Sequence, residues 1–215
     1  MKFIAKIGCL LCLALVLASC SSGGSSSGGS GSSPDFRFLF DHNASQLNGH
    51  TIRWESTNIK VYTAGLPGAE AAIKRWAGPV SFTFVSSPPA DGISFSQGSS
   101  KTLCGLTHTF YLNSGKITQA VVSIFDQTFC RGGLDNTVAH ETAHALGFFG
   151  HTADGGLMDP DGGNGNITTP DRNFMSLLYS QPFGSDITPF LSLNAKLTNG
   201  RYQPNGTQII LRVES

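Results

Sequence analysis

The sequence predicts a single α+β domain beginning near residue 34, on three observations. About 180 residues follow that point, enough to bury one full core and too few for two comfortable ones. Short runs of alternating apolar and polar residues, the mark of half-buried strands, are interleaved with runs whose apolar residues recur at helical spacing. Late in the chain, a helix-type segment carries two histidines four residues apart and is followed by a glycine, a third histidine and a methionine. No internal repeat is visible.

Residues 1–19 read as a signal peptide. Lys2 and Lys6 precede an apolar run from about Ile7 to Leu17, too short for a spanning helix. The run ends in Leu17-Ala18-Ser19-Cys20, which resembles the bacterial lipobox and implies acylation of Cys20; an ordinary secretory cleavage near Ala18 or Cys20 is the alternative. By similarity to sorted lipoproteins, Ser21 after the cysteine points to the outer membrane or cell surface. Residues 20–33 are then the lipidated cysteine and a tether of serine and glycine alone, which cannot bury apolar surface. The thirteen residues Ser21 to Ser33 would hold the domain roughly 20 Å from its anchor. No second apolar stretch reaches spanning length.

Within the domain, Ile59 to Thr63 reads as a strand, and Gly68 to Ala77 as a helix stopped by Gly78-Pro79. Val80 to Val85 alternates as a half-buried strand does, and Gly92 to Ser96 repeats the pattern. Leu106 to Leu112 and Ile117 to Phe125 are rich in β-branched and aromatic residues and are separated by Asn113-Ser114-Gly115, a hairpin turn. Gly132-Gly133 leads into the histidine helix, with Asp135 or Asn136 as cap and Val138, Ala139, Thr142, Ala143 and Leu146 as a packed face opposite the histidines. Thr169-Pro170-Asp171 starts a last helix reaching about Tyr179. From about residue 189 the tail is uncertain, with a β-like piece at Gln208 to Val213 that could add a strand.

His140 and His144, four apart, share one helix face and can both point at one ion, with Glu141 beside them. Three protein ligands leave zinc an open position for water, whose pKa then falls from about 15.7 toward ~7. Glu141 is the candidate general base. Gly147 can enter the left-handed region, end the helix and turn the chain back so that His151 supplies the third ligand. Asp154 is the alternative third ligand, with Asp159 behind it.

In these residues the chain resembles the metzincin metallopeptidases, whose signature is HExxHxxGxxH followed by a methionine turn, and is most similar to the bacterial matrixins among them. The resemblance implies a mixed twisted sheet with an active-site helix and a C-terminal helix, zinc on His140 and His144, catalysis by Glu141, and Met158 packed beneath the metal. One departure matters. The third histidine stands four residues after Gly147 instead of three, while the fourteen-residue spacing from His144 to Met158 is the one expected of matrixins. The resemblance also raises structural calcium, for which Asp154, Asp159 or Asp161 could supply oxygen. Latency through a propeptide cysteine is not expected, and whether Asp41 masks the metal is open.

Once the signal peptide removes Cys9 and Cys12 and lipid takes Cys20, Cys104 and Cys130 remain for one disulfide, contributing roughly 3 kcal/mol; service as extra metal ligands is the rival. Charged residues make up 13% of the chain and balance to a net charge of zero, so nucleic acid is not an expected partner. The reading is therefore a monomeric, exported zinc endopeptidase acting on protein or peptide substrates, attached to a membrane through Cys20. The alternative is an anchored binding or adhesion module on the same scaffold with a non-catalytic zinc. Glu141 argues against it, because a structural site is closed by four protein ligands and needs no general base. His42, His50 and His108 carry no role in this reading, although Leu106 to Leu112 is a candidate edge for an extended substrate.

Overall fold

The computed structural model describes residues 34–125, 128, 130–191 and the strand at 209–214. The readings of signal peptide, Cys20 and tether lie outside the described residues. In chain order the elements are α1 (Pro34–His42), β1 (Arg53–Trp54), β2 (Asn58–Tyr62), α2 (Ala69–Lys74), β3 (Ser81–Phe84), β4 (Gly92–Gln97), β5 (Gly105–Tyr111), β6 (Lys116–Ile124), α3 (Gly133–Leu146), α4 (Thr169–Ser180) and β7 (Ile209–Glu214). No helix among the described residues is long and apolar enough to cross a membrane.

The strands form one mixed sheet in the order β3-β2-β4-β6-β5-β7, with β1 pairing to β6 off that path. Parallel pairing joins β3 to β2, β2 to β4 and β4 to β6, whereas β5 runs antiparallel to β6. The β2-α2-β3 unit is a helical crossover between parallel neighbours, which the two-residue hairpin route cannot make. Strand β1 reaches β6 at Lys116 and Ile117, below the stretch from Ala120 to Ile124 that β4 occupies. The expectation that Leu106 to Leu112 forms a sheet edge is overturned, because β7 pairs with β5 from Leu106 to Tyr111. A strand about a hundred residues downstream leaves no local mark on the β5 sequence.

Helix α3 is buried on every side from Thr137 to Leu146, so the expected single packed face is too narrow a description. It packs on β5 and β6 on one side and against α2 on another. Both tryptophans of the chain donate into its backbone, Trp76 Nε1 to Ala139 O at 2.7 Å and Trp54 Nε1 to Ala145 O at 2.8 Å. Its last four carbonyls, which have no partner within a helix, are all met: Ala143 by Phe148 N, His144 by Gly147 N and Thr109 Oγ1, Ala145 by Trp54, and Leu146 by Tyr179 Oη. Such complete satisfaction lets a helix end sit in the core.

The start of α3 differs from the expected cap. It begins at Gly133, and Gly132 before it makes no side-chain cap. Asp135 and Asn136 therefore lie inside the first turn, where Asn136 accepts from Arg75 Nη1 at 2.9 Å and the Asp135 carboxylate sits against the positive end of the helix. Helix α4 starts as expected, with Thr168 and Asp171 exchanging hydrogen bonds in a capping box and Pro170 in the first turn. Helix α1, not anticipated from the sequence, packs on α4, and Phe38 meets Phe148 and Phe174 edge-on. The disulfide forms between Cys104 and Cys130, with Cα atoms 5.7 Å apart, and ties the start of β5 to the approach to α3.

Candidate metal centre

His140 and His144 occupy one face of α3 and are 2% and 0% exposed. Each is oriented by a backbone carbonyl: His140 Nδ1 donates to Leu157 O and His144 Nδ1 to Phe148 O, both at 2.6 Å. A carbonyl oxygen only accepts, so each Nδ1 carries its proton and each Nε2 presents a lone pair. The two Nε2 atoms face one another at 3.0 Å. Without a shared proton this contact is repulsive, and a cation between the lone pairs reverses the sign. Tetrahedral zinc with bonds of about 2.05 Å places its ligand nitrogens ~3.3 Å apart, close to this separation.

The chain returns to the site through Gly147, the residue ending α3, at φ 109°. A Cβ there would lie 2.8 Å from Ile52 O, so both the turn and the close approach require glycine. Asn43, 0% exposed, locks this turn: its Nδ2 donates to Ile52 O and Gly147 O at 2.7 Å each, and its Oδ1 accepts from Ile52 N at 2.8 Å. The residue where the family signature would put a histidine is Gly150, also in the left-handed region at φ 108°. That glycine supplies the additional step in the loop and delivers His151.

His140, His144 and His151 form the cluster able to hold a metal among the described residues, with candidate ligand atoms all within 4.8 Å of one another. The ring centroids are separated by 4.7, 5.1 and 5.1 Å. His151 Nε2 is buried and has no hydrogen-bond partner among the described residues, an orphaned lone pair that a cation would satisfy. Burial holds His140 at a pKa of about 4 and pushes His144 well below the ordinary histidine value, with neighbouring imidazoles acting in the same direction. Burial lowers His151 too, opposed by the Asp159 carboxylate. All three are thus neutral at pH 7, as ligation of zinc requires. The donor set fits zinc.

The alternative ligands are engaged elsewhere. Asp154 Oδ1 accepts from Thr152 Oγ1 and Gly156 N at 3.0 Å, and Asp159 Oδ2 accepts from Gly155 N at 2.9 Å. Asp161 pairs with Arg131 and accepts from Gly163 N. The three carboxylates named for calcium therefore serve as loop acceptors and do not join a metal-ligating cluster among the described residues. Met158 is 0% exposed and lies in the loop returning to α3. Asp41 pairs with Arg37 within α1.

Glu141 is 0% exposed, and its carboxylate is held under β5. Thr107 Oγ1 lies 2.5 Å from Glu141 Oε2 and 3.2 Å from Glu141 O. A Cβ on Gly105 would stand 2.3 Å from Glu141 Oε1, so bare backbone is needed where the carboxylate passes. Thr109, next on the same face, donates to His144 O at 3.3 Å. Sequence reasoning missed Gly105, Thr107 and Thr109, yet a signal exists. Along β5 the buried positions are Gly105, Thr107, Thr109 and Tyr111, while Leu106, His108 and Phe110 are half-exposed, so polar residues largely face inward. This inversion is intelligible only once a helix needing donors and space for a carboxylate lies beneath.

His42, given no role above, stacks near Phe148 with ring centroids 5.0 Å apart and passes its carbonyl to Phe149 N. With Phe38, His151, Asp154 and Phe174 it lines a cleft of about 610 Å³. His50 instead pairs locally, Nδ1 to Leu47 O at 3.2 Å.

No protein-family model matches the sequence, and no curated protein sequence matches it. Matches among solved structures include high choriolytic enzyme 1, a hatching enzyme zinc-protease from the medaka fish Oryzias latipes. It is 25% identical with a TM-score of 0.28, over 46% of this chain and 50% of that one, so the chain spans about half of that protein's length.

Proposed function

We propose that the chain is a zinc-dependent endopeptidase of the metzincin type, similar to matrixins, which hydrolyses internal peptide bonds outside the cytoplasm while tethered through Cys20. The observation that carries this reading is the convergence of three neutral imidazoles, two with opposed lone pairs at 3.0 Å, supplied in part by the helix that also carries the buried Glu141. Three protein ligands leave a coordination position open, which distinguishes a catalytic from a structural zinc site.

Bound at His140, His144 and His151, zinc would supply Lewis acidity toward a scissile carbonyl and toward an attacking water. Glu141 takes the proton of that water and hands it to the leaving amine, with no covalent enzyme intermediate. Thr107 and Gly105 keep its carboxylate in one rotamer while it does so, and the carbonyls of Leu157 and Phe148 hold the imidazoles in the ligating tautomer. The cleft beside His151 offers Phe38 and Phe174 to an apolar portion of the substrate.

The test is zinc content together with cleavage of a broad peptide library by the parent protein and Glu141→Ala. Both proteins binding one zinc, with cleavage by the parent alone, supports the reading. Zinc in both and cleavage by neither sinks it in favour of a binding module.

A further inference from the structure

The outer edge of β5 is the metal-proximal edge of the sheet, and a segment of the same chain already occupies it. Residues Leu106 to Tyr111 pair antiparallel with β7, from Leu106 opposite Glu214 to Tyr111 opposite Ile209. On its other side β5 pairs with β6 from Gly105 opposite Ile124 to Tyr111 opposite Ile117. Successive backbone N–H and C=O groups of a strand point to alternate sides, so with both neighbours in place the ladder capacity of β5 is filled.

This strip of backbone lies over the metal helix. Thr107, which bonds Glu141, stands opposite Val213, and Thr109, which bonds His144 O, stands opposite Leu211. Positions 211 to 213 of β7 therefore run beside the part of β5 in register with the glutamate and second histidine. The opposite edge, at β3, is separated from β5 by β2, β4 and β6 and cannot present a substrate to the metal. An extended polypeptide adding to a sheet needs unpaired edge groups, and near the metal the groups available to it are those that β7 holds.

We propose that β7 is a resident competitor on the outer edge of β5, a strand of the same chain that an extended substrate must displace before cleavage. The proposal rests on the endopeptidase reading. It makes substrate capture conditional on a population: if β7 is docked for 90–99% of the time, the apparent affinity of an incoming strand falls about tenfold to a hundredfold.

The test uses the full chain carrying Ile210→Pro and Leu211→Pro together. Adjacent N–H groups face opposite sides of a strand, so one of the two prolines removes a ladder donor toward β5 whichever it is. Raised kcat/KM on library peptides, by about tenfold or more, and reversal by an added synthetic hexapeptide with the sequence of Ile209–Glu214 are expected. Equal or lower kcat/KM in a variant that folds and holds zinc overturns the proposal. If neither protein cleaves anything, the endopeptidase reading fails separately. Fluorescently labelled hexapeptide then decides the edge: binding to the variant and not to the parent supports occupation in cis, whereas equal binding refutes it. Should the variant fail to fold, amide exchange in the parent provides the answer. Slow exchange of the β5 amides directed away from β6 supports a docked β7, and fast exchange removes it.

Discussion

Thr107→Val isolates the contribution of a single hydroxyl to the placement of the Glu141 carboxylate. The replacement keeps the β-branched shape of the side chain and removes the donor 2.5 Å from Glu141 Oε2. A hydrogen bond to a charged group contributes roughly 1.5–3 kcal/mol, and both partners here are 0% exposed, so water does not replace it cheaply. If that interaction holds Glu141 in its working rotamer, its loss lowers kcat by roughly tenfold to a hundredfold, at about 1.4 kcal/mol per decade. KM should change little, since Thr107 faces the helix and not the substrate side. Zinc content should not change, because no ligand nitrogen contacts the hydroxyl. Steady-state cleavage of a peptide found with the parent enzyme, alongside metal analysis, separates these effects, and Thr107→Ser should recover most of the rate. An unchanged kcat in Thr107→Val, or a loss confined to KM, would refute the positioning role.

Asn43→Ala removes three buried hydrogen bonds that fasten the Gly147 turn to the Ile52 backbone, and should cost about 3 kcal/mol or more; a thermal melt and a zinc titration should show lower stability and weaker metal binding together. Reduction of the Cys104–Cys130 disulfide, which spans 26 residues, should lower stability by about 3 kcal/mol, visible as a lower melting temperature in the presence of a thiol reductant. In the metal-free protein His140 titrates near 4 when folded and near 6.5 when unfolded, so between these values the unfolded chain holds more protons. The stability contributed by this histidine is complete above pH 6.5 and is lost as pH falls toward 4, by ~3 kcal/mol, then stays constant. Urea midpoints measured across this window in the presence of a chelator should fall with pH, and less steeply in His140→Gln; a parallel dependence in the two proteins would contradict the assignment.

Features written in local chemistry were legible in the sequence. Alternation marked β3 and β4, Thr169-Pro170-Asp171 marked the start of α4, and the spacing of His140, His144 and Gly147 marked the histidine helix and its end. Features set by distant partners were not. Polar Thr107 and Thr109 face inward because a helix about thirty-five residues further along the chain lies there, and β5 loses its edge to β7, about a hundred residues away. Helix α1 is rich in phenylalanine, which carries no strong helical preference; its order comes from packing on α4 and Phe148. Asn43 and His42 owe their places to that same packing. The first-turn position of Asp135 and Asn136 turned on a two-glycine approach whose conformation no side chain announces.

The carbonyls that orient the two helix histidines belong to Phe148 and Leu157, and these residues bracket the segment that carries the third histidine. Because the latch points are main-chain oxygens, side-chain substitutions at 148 and 157 leave the acceptors themselves in place, and the segment between is anchored at both ends. Residues can be gained on one side of the histidine and lost on the other without disturbing either anchor. The offset of His151 by one residue from the HExxHxxGxxH spacing is one such exchange. Third ligands of different position or chemistry could therefore be sampled within this bracket during divergence while the helix half of the site stays unchanged, and the length of the bracketed segment from 149 to 156 is a better guide to such sites than a fixed spacing of histidines.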